Sequence, residues 1–132
     1  VGLALERSGV AAVVGNAFGQ IAPGLSPILA LALMYIFVNI ITEMITNNAA
    51  AVLTFPFVIH VAEQLQVNPR PFAIIIAFAA SASFCTPIGY QTNLMVYGPG
   101  GYRFSDFIRA GLPLTITLML LATLLIPIFW PL

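Results

Sequence analysis

The chain has 132 residues, 61% of them hydrophobic and 6% charged, with a formal net charge of zero. Soluble domains carry roughly 25% charged residues, so this composition excludes a soluble globular domain and points to an integral membrane protein. A neutral chain argues against a nucleic-acid partner, which basic side chains would hold, and the single cysteine, Cys85, excludes an internal disulfide.

In chain order, residues 1–5 are apolar and do not begin with methionine. They read as the end of a span that starts earlier in a longer protein, with no basic region ahead of them to mark a signal peptide. Glu6-Arg7-Ser8-Gly9 is a polar break at a membrane surface. Residues 10–22 are too short to cross and predict an interfacial helix. Pro23-Gly24 and Ser26-Pro27 are turn punctuation. Residues 27–45 predict the first strong helix, with Pro27 suited to its first turn. Asn39, Thr42, Glu43 and Thr46 recur at helical spacing, which lines four polar side chains along one face of an otherwise apolar helix.

Glu43 is the one charge in the apolar run of residues 21–62. That run is about twice the roughly 20 residues a membrane span requires, and its polar cluster falls near its centre. Residues 27–64 therefore predict a re-entrant helical hairpin, with Asn47-Asn48 at the tip, Asn48 capping the second helix and Pro56 kinking it. Val67-Asn68-Pro69-Arg70-Pro71 reads as a surface loop. Residues 71–97 cross only as a broken helix. A small-residue stretch ends at Phe84, a polar break runs from Cys85-Thr86-Pro87 to Asn93, and apolar character resumes at Leu94. Non-helical backbone at membrane depth is tolerated where it lines a cavity. Residues 103–110 predict a short surface helix, and residues 111–130 an ordinary span with Trp130 at an interface.

Two polar breaks in one apolar module are a sequence pointer to a transporter site, where discontinuous helices bind substrate and coupling ions near the midplane. The expected fold is thus all-α and integral to the membrane. Helix starts after the tip and near Thr92-Asn93 offer free N–H groups; helix ends near Thr46 and Cys85 offer free carbonyls. No lysine, arginine or histidine lies at either break. A bound anion would be held by amides, hydroxyls and a nearby cation. Glu43 either serves a coupling ion or proton or ties the hairpin to a neighbour, and the structural role is favoured. No nucleophile–base pair or metal-ligand spacing is visible, so neither an enzyme nor a cofactor is expected. The reading outside transport is a membrane structural subunit.

The stretch Thr42-Glu43-x-x-Thr46-Asn47-Asn48-Ala49 resembles the hairpin-tip signature of the divalent-anion/sodium symporter family, the sodium-coupled dicarboxylate, citrate and sulfate carriers. The usual triplet there is Ser-Asn-Thr; here it is Thr46-Asn47-Asn48. Tyr90-Gln91-Thr92-Asn93, after Pro87-Ile88-Gly89, resembles the family's broken-helix loop, often Thr-Pro-Pro-Asn. Residues 3–12 and 96–111 also look like the family's flanking segments. The resemblance thus covers nearly the whole chain, as the C-terminal one of two inverted repeats. It implies a sodium-coupled symporter of a small divalent anion, multi-pass in the plasma membrane. Its expected partners are the lipid bilayer, an N-terminal repeat of the same protein and a second copy in a homodimer. By the same resemblance, Thr46, Asn47, Asn48, Tyr90, Gln91, Thr92 and Asn93 would contact substrate. Thr42, Ile45, Asn47, Gly89 and Asn93 would serve sodium. Asn48 and the missing double proline touch positions expected to shape the substrate, so sulfate and dicarboxylate both stay open. An arsenite or sodium/proton carrier of the same superfamily is the nearest alternative.

Overall fold

The computed structural model describes residues 25–132; the expected span end at 1–5 and interfacial helix at 10–22 lie outside them. Among the described residues there are five helices and no strand: α1 (Pro27–Met44), α2 (Asn47–Gln64), α3 (Pro69–Ser81), α4 (Gln91–Tyr97) and α5 (Phe104–Phe129). Ser26 caps α1, its Oγ accepting from Leu29 N at 3.3 Å, and Pro27 follows where a missing N–H is harmless. The buried face of α1 begins with Ala30, Leu31, Met34, Tyr35 and Val38 and turns polar at Asn39, Thr42 and Glu43.

The core joins that face to Val58, Val61 and Ala62 of α2, Phe72, Ile75, Ile76 and Ala79 of α3, and Ala122 and Ile126 of α5. α3 lies at its centre, packed on α1, α2 and α5. Its alanines let neighbouring backbones come close. α1 and α5 are long and apolar enough to cross a membrane. α5 has 26 residues and is about 39 Å long at 1.5 Å per residue, which exceeds the roughly 30 Å hydrocarbon core. Its exposed face carries Leu112, Leu120, Leu124 and Ile128. Asn68 Nδ2 donates to the Pro131 carbonyl at 3.3 Å, which puts the α2–α3 connection at the C-terminal end of α5. The Tyr97 ring lies 5.9 Å from that of Phe107, which puts α4 at the other end.

Three local expectations are corrected. The turn between α1 and α2 is Ile45-Thr46, not Asn47-Asn48, and the cap of α2 is Thr46, not Asn48. Thr46 is extended (φ −68°, ψ 149°) and its Oγ1 accepts from Ala49 N at 3.4 Å, so both asparagines fall in the first turn. Pro69, Arg70 and Pro71 belong to α3 and not to a loop, because Asn68 Oδ1 caps the helix by accepting from Arg70 N at 3.0 Å. The surface helix and final span are one continuous helix. Asp106 starts it, its carboxylate accepting from Arg103 N at 2.8 Å. Gly111, which reads as a boundary, is buried inside α5 because any β-carbon there would collide with the Phe84 carbonyl.

Candidate functional site

The polar end of α1 meets the unwound end of α3. Asn39 Nδ2 donates to the Ala82 carbonyl at 2.8 Å and, more weakly, to that of Ala79 at 3.4 Å. Thr42, fully buried, donates from Oγ1 to the Ala80 carbonyl at 2.8 Å. The last turn of a helix leaves its carbonyls without partners, and α1 supplies them. Glu43 does the converse for the residues that follow. Its Oε1 accepts from Cys85 N and its Oε2 from Thr86 N, both at 2.8 Å. Thr86 Oγ1 returns a hydrogen bond to the Glu43 carbonyl at 3.0 Å.

Residues 82–90 have no regular helix, yet they are closely held. Gly89 N donates to Thr86 Oγ1 at 3.1 Å. Asn93 Nδ2 donates to the carbonyls of Ser83 at 3.1 Å and Thr86 at 3.2 Å. Ser83 Oγ reaches the Thr42 carbonyl at 3.4 Å. Gly89 is buried against α1: a β-carbon would collide with Ser83 Oγ and stand 3.1 Å from Glu43 Cα. Only glycine lets the backbone lie that close. Cys85 Sγ is 3.5 Å from Thr115 Oγ1 of α5. Cys85, Glu43, Tyr35 and Thr115 border a largely apolar cavity of about 470 Å³ between α1 and α5.

The expected site residues fall into three groups. Thr42, Asn47, Gly89 and Asn93 are brought into one hydrogen-bonded neighbourhood: Thr42 Oγ1 is 3.0 Å from Asn47 Oδ1, Gly89 rests on Glu43, and Asn93 is tied to Ser83 and Thr86. Thr46 and Ile45 form the turn beside them; Thr46 caps α2 and Ile45 is 37% exposed. Asn48, Tyr90, Gln91 and Thr92 are exposed, and no hydrogen bond among the described residues engages their side chains. The polar face of α1 meets residues 79–86 and Gly89; it does not extend along residues 90–93. Ser83 and Thr86 belong to the same hydrogen-bonded neighbourhood and are not among the expected contacts. Ser83 sits in a run of alanines that reads as packing, and the one available signal for Thr86 was its place just before Pro87.

Residues 1–131 match the CitMHS citrate transporter family. The chain is 45% identical over 130 residues to an uncharacterized transporter of Synechocystis sp., covering 98% of this chain and 21% of that protein. It is 37% identical over 129 residues to an uncharacterized transporter of Escherichia coli, covering 98% of this chain and 21% of that protein. It is 38% identical over 123 residues to sodium/sulfate cotransporter 1 of Chlamydomonas reinhardtii, covering 92% of this chain and 14% of that protein. The chain thus spans about a fifth or less of the length of these curated relatives.

Proposed function

The chain belongs to the citrate transporter family, and on that premise we propose that it is the C-terminal repeat of a sodium-coupled secondary transporter for a small divalent anion, sulfate or a dicarboxylate. One observation carries the reading: the two polar interruptions are a single hydrogen-bonded unit, joined through Asn39, Thr42 and Glu43. Depth follows from length. α3 has 13 residues and is about 20 Å long. If it starts at a membrane surface, where Asn68 and Arg70 sit, it ends inside a core roughly 30 Å thick. The turn at Ile45-Thr46, bonded to that end through α1, then also lies within the membrane. This supports a re-entrant hairpin and a discontinuous helix meeting near the midplane.

The chemistry supports a cation beside an anion. The Thr42 hydroxyl has one proton, and the Ala80 carbonyl at 2.8 Å takes it in the shorter of its two contacts. Asn47 Oδ1 at 3.0 Å then faces a Thr42 lone pair. Two oxygens so placed attract a cation, or require the amide to turn its nitrogen inward. Carboxamide, hydroxyl and carbonyl oxygens suit a hard ion such as sodium. Asn48, Gln91 and Thr92 keep unengaged polar side chains, as substrate-facing groups need. Sodium/sulfate cotransport is the named activity of the Chlamydomonas relative. The same reading makes the whole protein a multi-pass plasma-membrane carrier, with an N-terminal repeat completing the site and a second copy completing a homodimer. The test is uptake of labelled sulfate, succinate and citrate by the full-length protein in liposomes, with inward sodium or choline gradients. Sodium-dependent uptake of at least one of them is expected. Uptake of none, or uptake indifferent to sodium, overturns the proposal.

A further inference from the structure

We propose that Glu43 is a positioning residue: its carboxylate grips the amides of Cys85 and Thr86 and so sets the path of residues 85–93. The proposal rests on the transport reading for what those residues bind; the geometry of the grip stands apart from it. Glu43 is 8% exposed and is the sole acidic residue of α1. Among the described residues it forms no ion pair. A buried carboxylate without a cationic partner persists only when hydrogen bonds replace water. Here each oxygen takes one backbone N–H at 2.8 Å. Successive amides that converge in this way make an anion-binding concavity. Here the Glu43 carboxyl occupies it, so a substrate anion is not held by the Cys85 and Thr86 amides.

The grip is relayed onward. Thr86 donates from Oγ1 to the Glu43 carbonyl and accepts on the same oxygen from Gly89 N. Its hydroxyl is thereby oriented from both sides. The Thr86 carbonyl accepts from Asn93 Nδ2. An unbroken series of hydrogen bonds therefore runs from Glu43 through Thr86 to Gly89 and Asn93, two of the residues assigned above to the binding site. Gly89 also packs against Glu43 itself, whereas Asn93 is reached only through Thr86.

Cys85 gives a readout that does not depend on transport, since its N–H is one of the two gripped amides and it borders the cavity between α1 and α5. The experiment uses the full-length protein in liposomes, with Cys85→Ser as the background control, and follows labelling of Cys85 by N-ethylmaleimide alongside labelled-sulfate uptake. Glu43→Ala frees the segment, so labelling should accelerate about tenfold or more, the effect of losing hydrogen bonds to a charged group on local opening. Glu43→Gln keeps the volume and one acceptor but presents an N–H to the second amide. It should label at an intermediate rate and raise the KM for sulfate, while leaving the pH profile of uptake in its wild-type shape. It also serves as the test variant should Glu43→Ala fail to insert. Wild-type labelling in the inserted variants, or a pH profile abolished by Glu43→Gln with labelling unchanged, overturns the proposal. If the wild-type protein moves none of the anions, the transport reading fails, while the labelling rates still decide the role of Glu43.

Discussion

The two interruptions solve the same problem by different means. Between α1 and α2 the chain turns on Ile45-Thr46 and caps itself: Thr46 Oγ1 accepts from Ala49 N within the next turn. Between α3 and α4 it stays unwound over residues 82–90, and its carbonyls and amides find partners on another helix, in α1. The first interruption is closed by local sequence, whereas the second depends on side chains up to 43 positions away. A substitution in the first should therefore act on what the site binds. A substitution in the second, or in its support on α1, should act on whether the site is formed.

The largest effect expected from breaking this contrast is at Gly89. Gly89→Val drives a branched side chain into Ser83 and the backbone of Glu43, and overpacking of this kind costs about 3 kcal/mol. Denaturation of the solubilised full-length protein should show that loss, together with loss of uptake. Wild-type stability in this variant would mean that residues 82–90 are not moulded on α1. Next is Asn47→Ala, which removes an amide but leaves the turn and its Thr46 cap in place. A lost hydrogen bond to a charged group costs about 1.5–3 kcal/mol, so substrate affinity should fall by roughly ten- to a hundredfold. Sodium affinity measured without substrate should fall as well, because the Asn47 carboxamide oxygen is one of the two oxygens proposed to face the cation. Unchanged affinity for both in saturation uptake would remove Asn47 from the site.

Smaller, and opposite in character, is Asn39→Ala. It leaves the Ala82 carbonyl without its 2.8 Å partner, at a cost of about 1–2 kcal/mol in stability, while the affinity of the protein that remains folded should stay within about twofold. A larger fall in affinity than in thermal stability would place Asn39 in the binding site and erase the distinction. The smallest stability effect belongs to Asn48→Thr. The side chain is exposed and makes no hydrogen bond among the described residues, so stability should move by less than about 0.5 kcal/mol. The ratio of sulfate to succinate uptake should nevertheless shift, and an unchanged ratio would show that Asn48 does not shape the substrate.

Periodicity made α1 and its polar stripe legible, because three of the four spaced residues, Asn39, Thr42 and Glu43, share its buried face. The isolation of Glu43 in a long apolar run was itself the clue that it has a dedicated partner. What the stripe touches was not legible. Whether it meets residues 79–86 or 86–93 depends on the register between helices distant in sequence, which neither period nor composition encodes. The cap of α2 falls at Thr46, two residues before the expected Asn48, because several neighbouring polar side chains compete for the position, and the two prolines after Asn68 read as a loop where Asn68 caps α3. Glycine weakens an isolated helix; inside α5 the proximity of the Phe84 carbonyl accounts for Gly111. The proposed site is present in the sequence only as a set of residue types. Its separation into engaged groups, such as Asn93, and unengaged ones, such as Thr92, required the three-dimensional contacts.

The dependence of residues 82–90 on α1 has a consequence for how the protein is made. A backbone without helix cannot rest in lipid, where each unsatisfied group costs several kcal/mol. α1 precedes that segment in the chain, and Glu43 lies 42 positions ahead of the Cys85 amide it receives. Synthesis therefore delivers the template before the part moulded on it. On the proposed placement of Cys85 and Thr86 within the bilayer, the carboxylate that shelters their amides has been translated before they enter it. An arrangement with the order of these two segments reversed would leave the unwound stretch waiting in hydrocarbon for its cover.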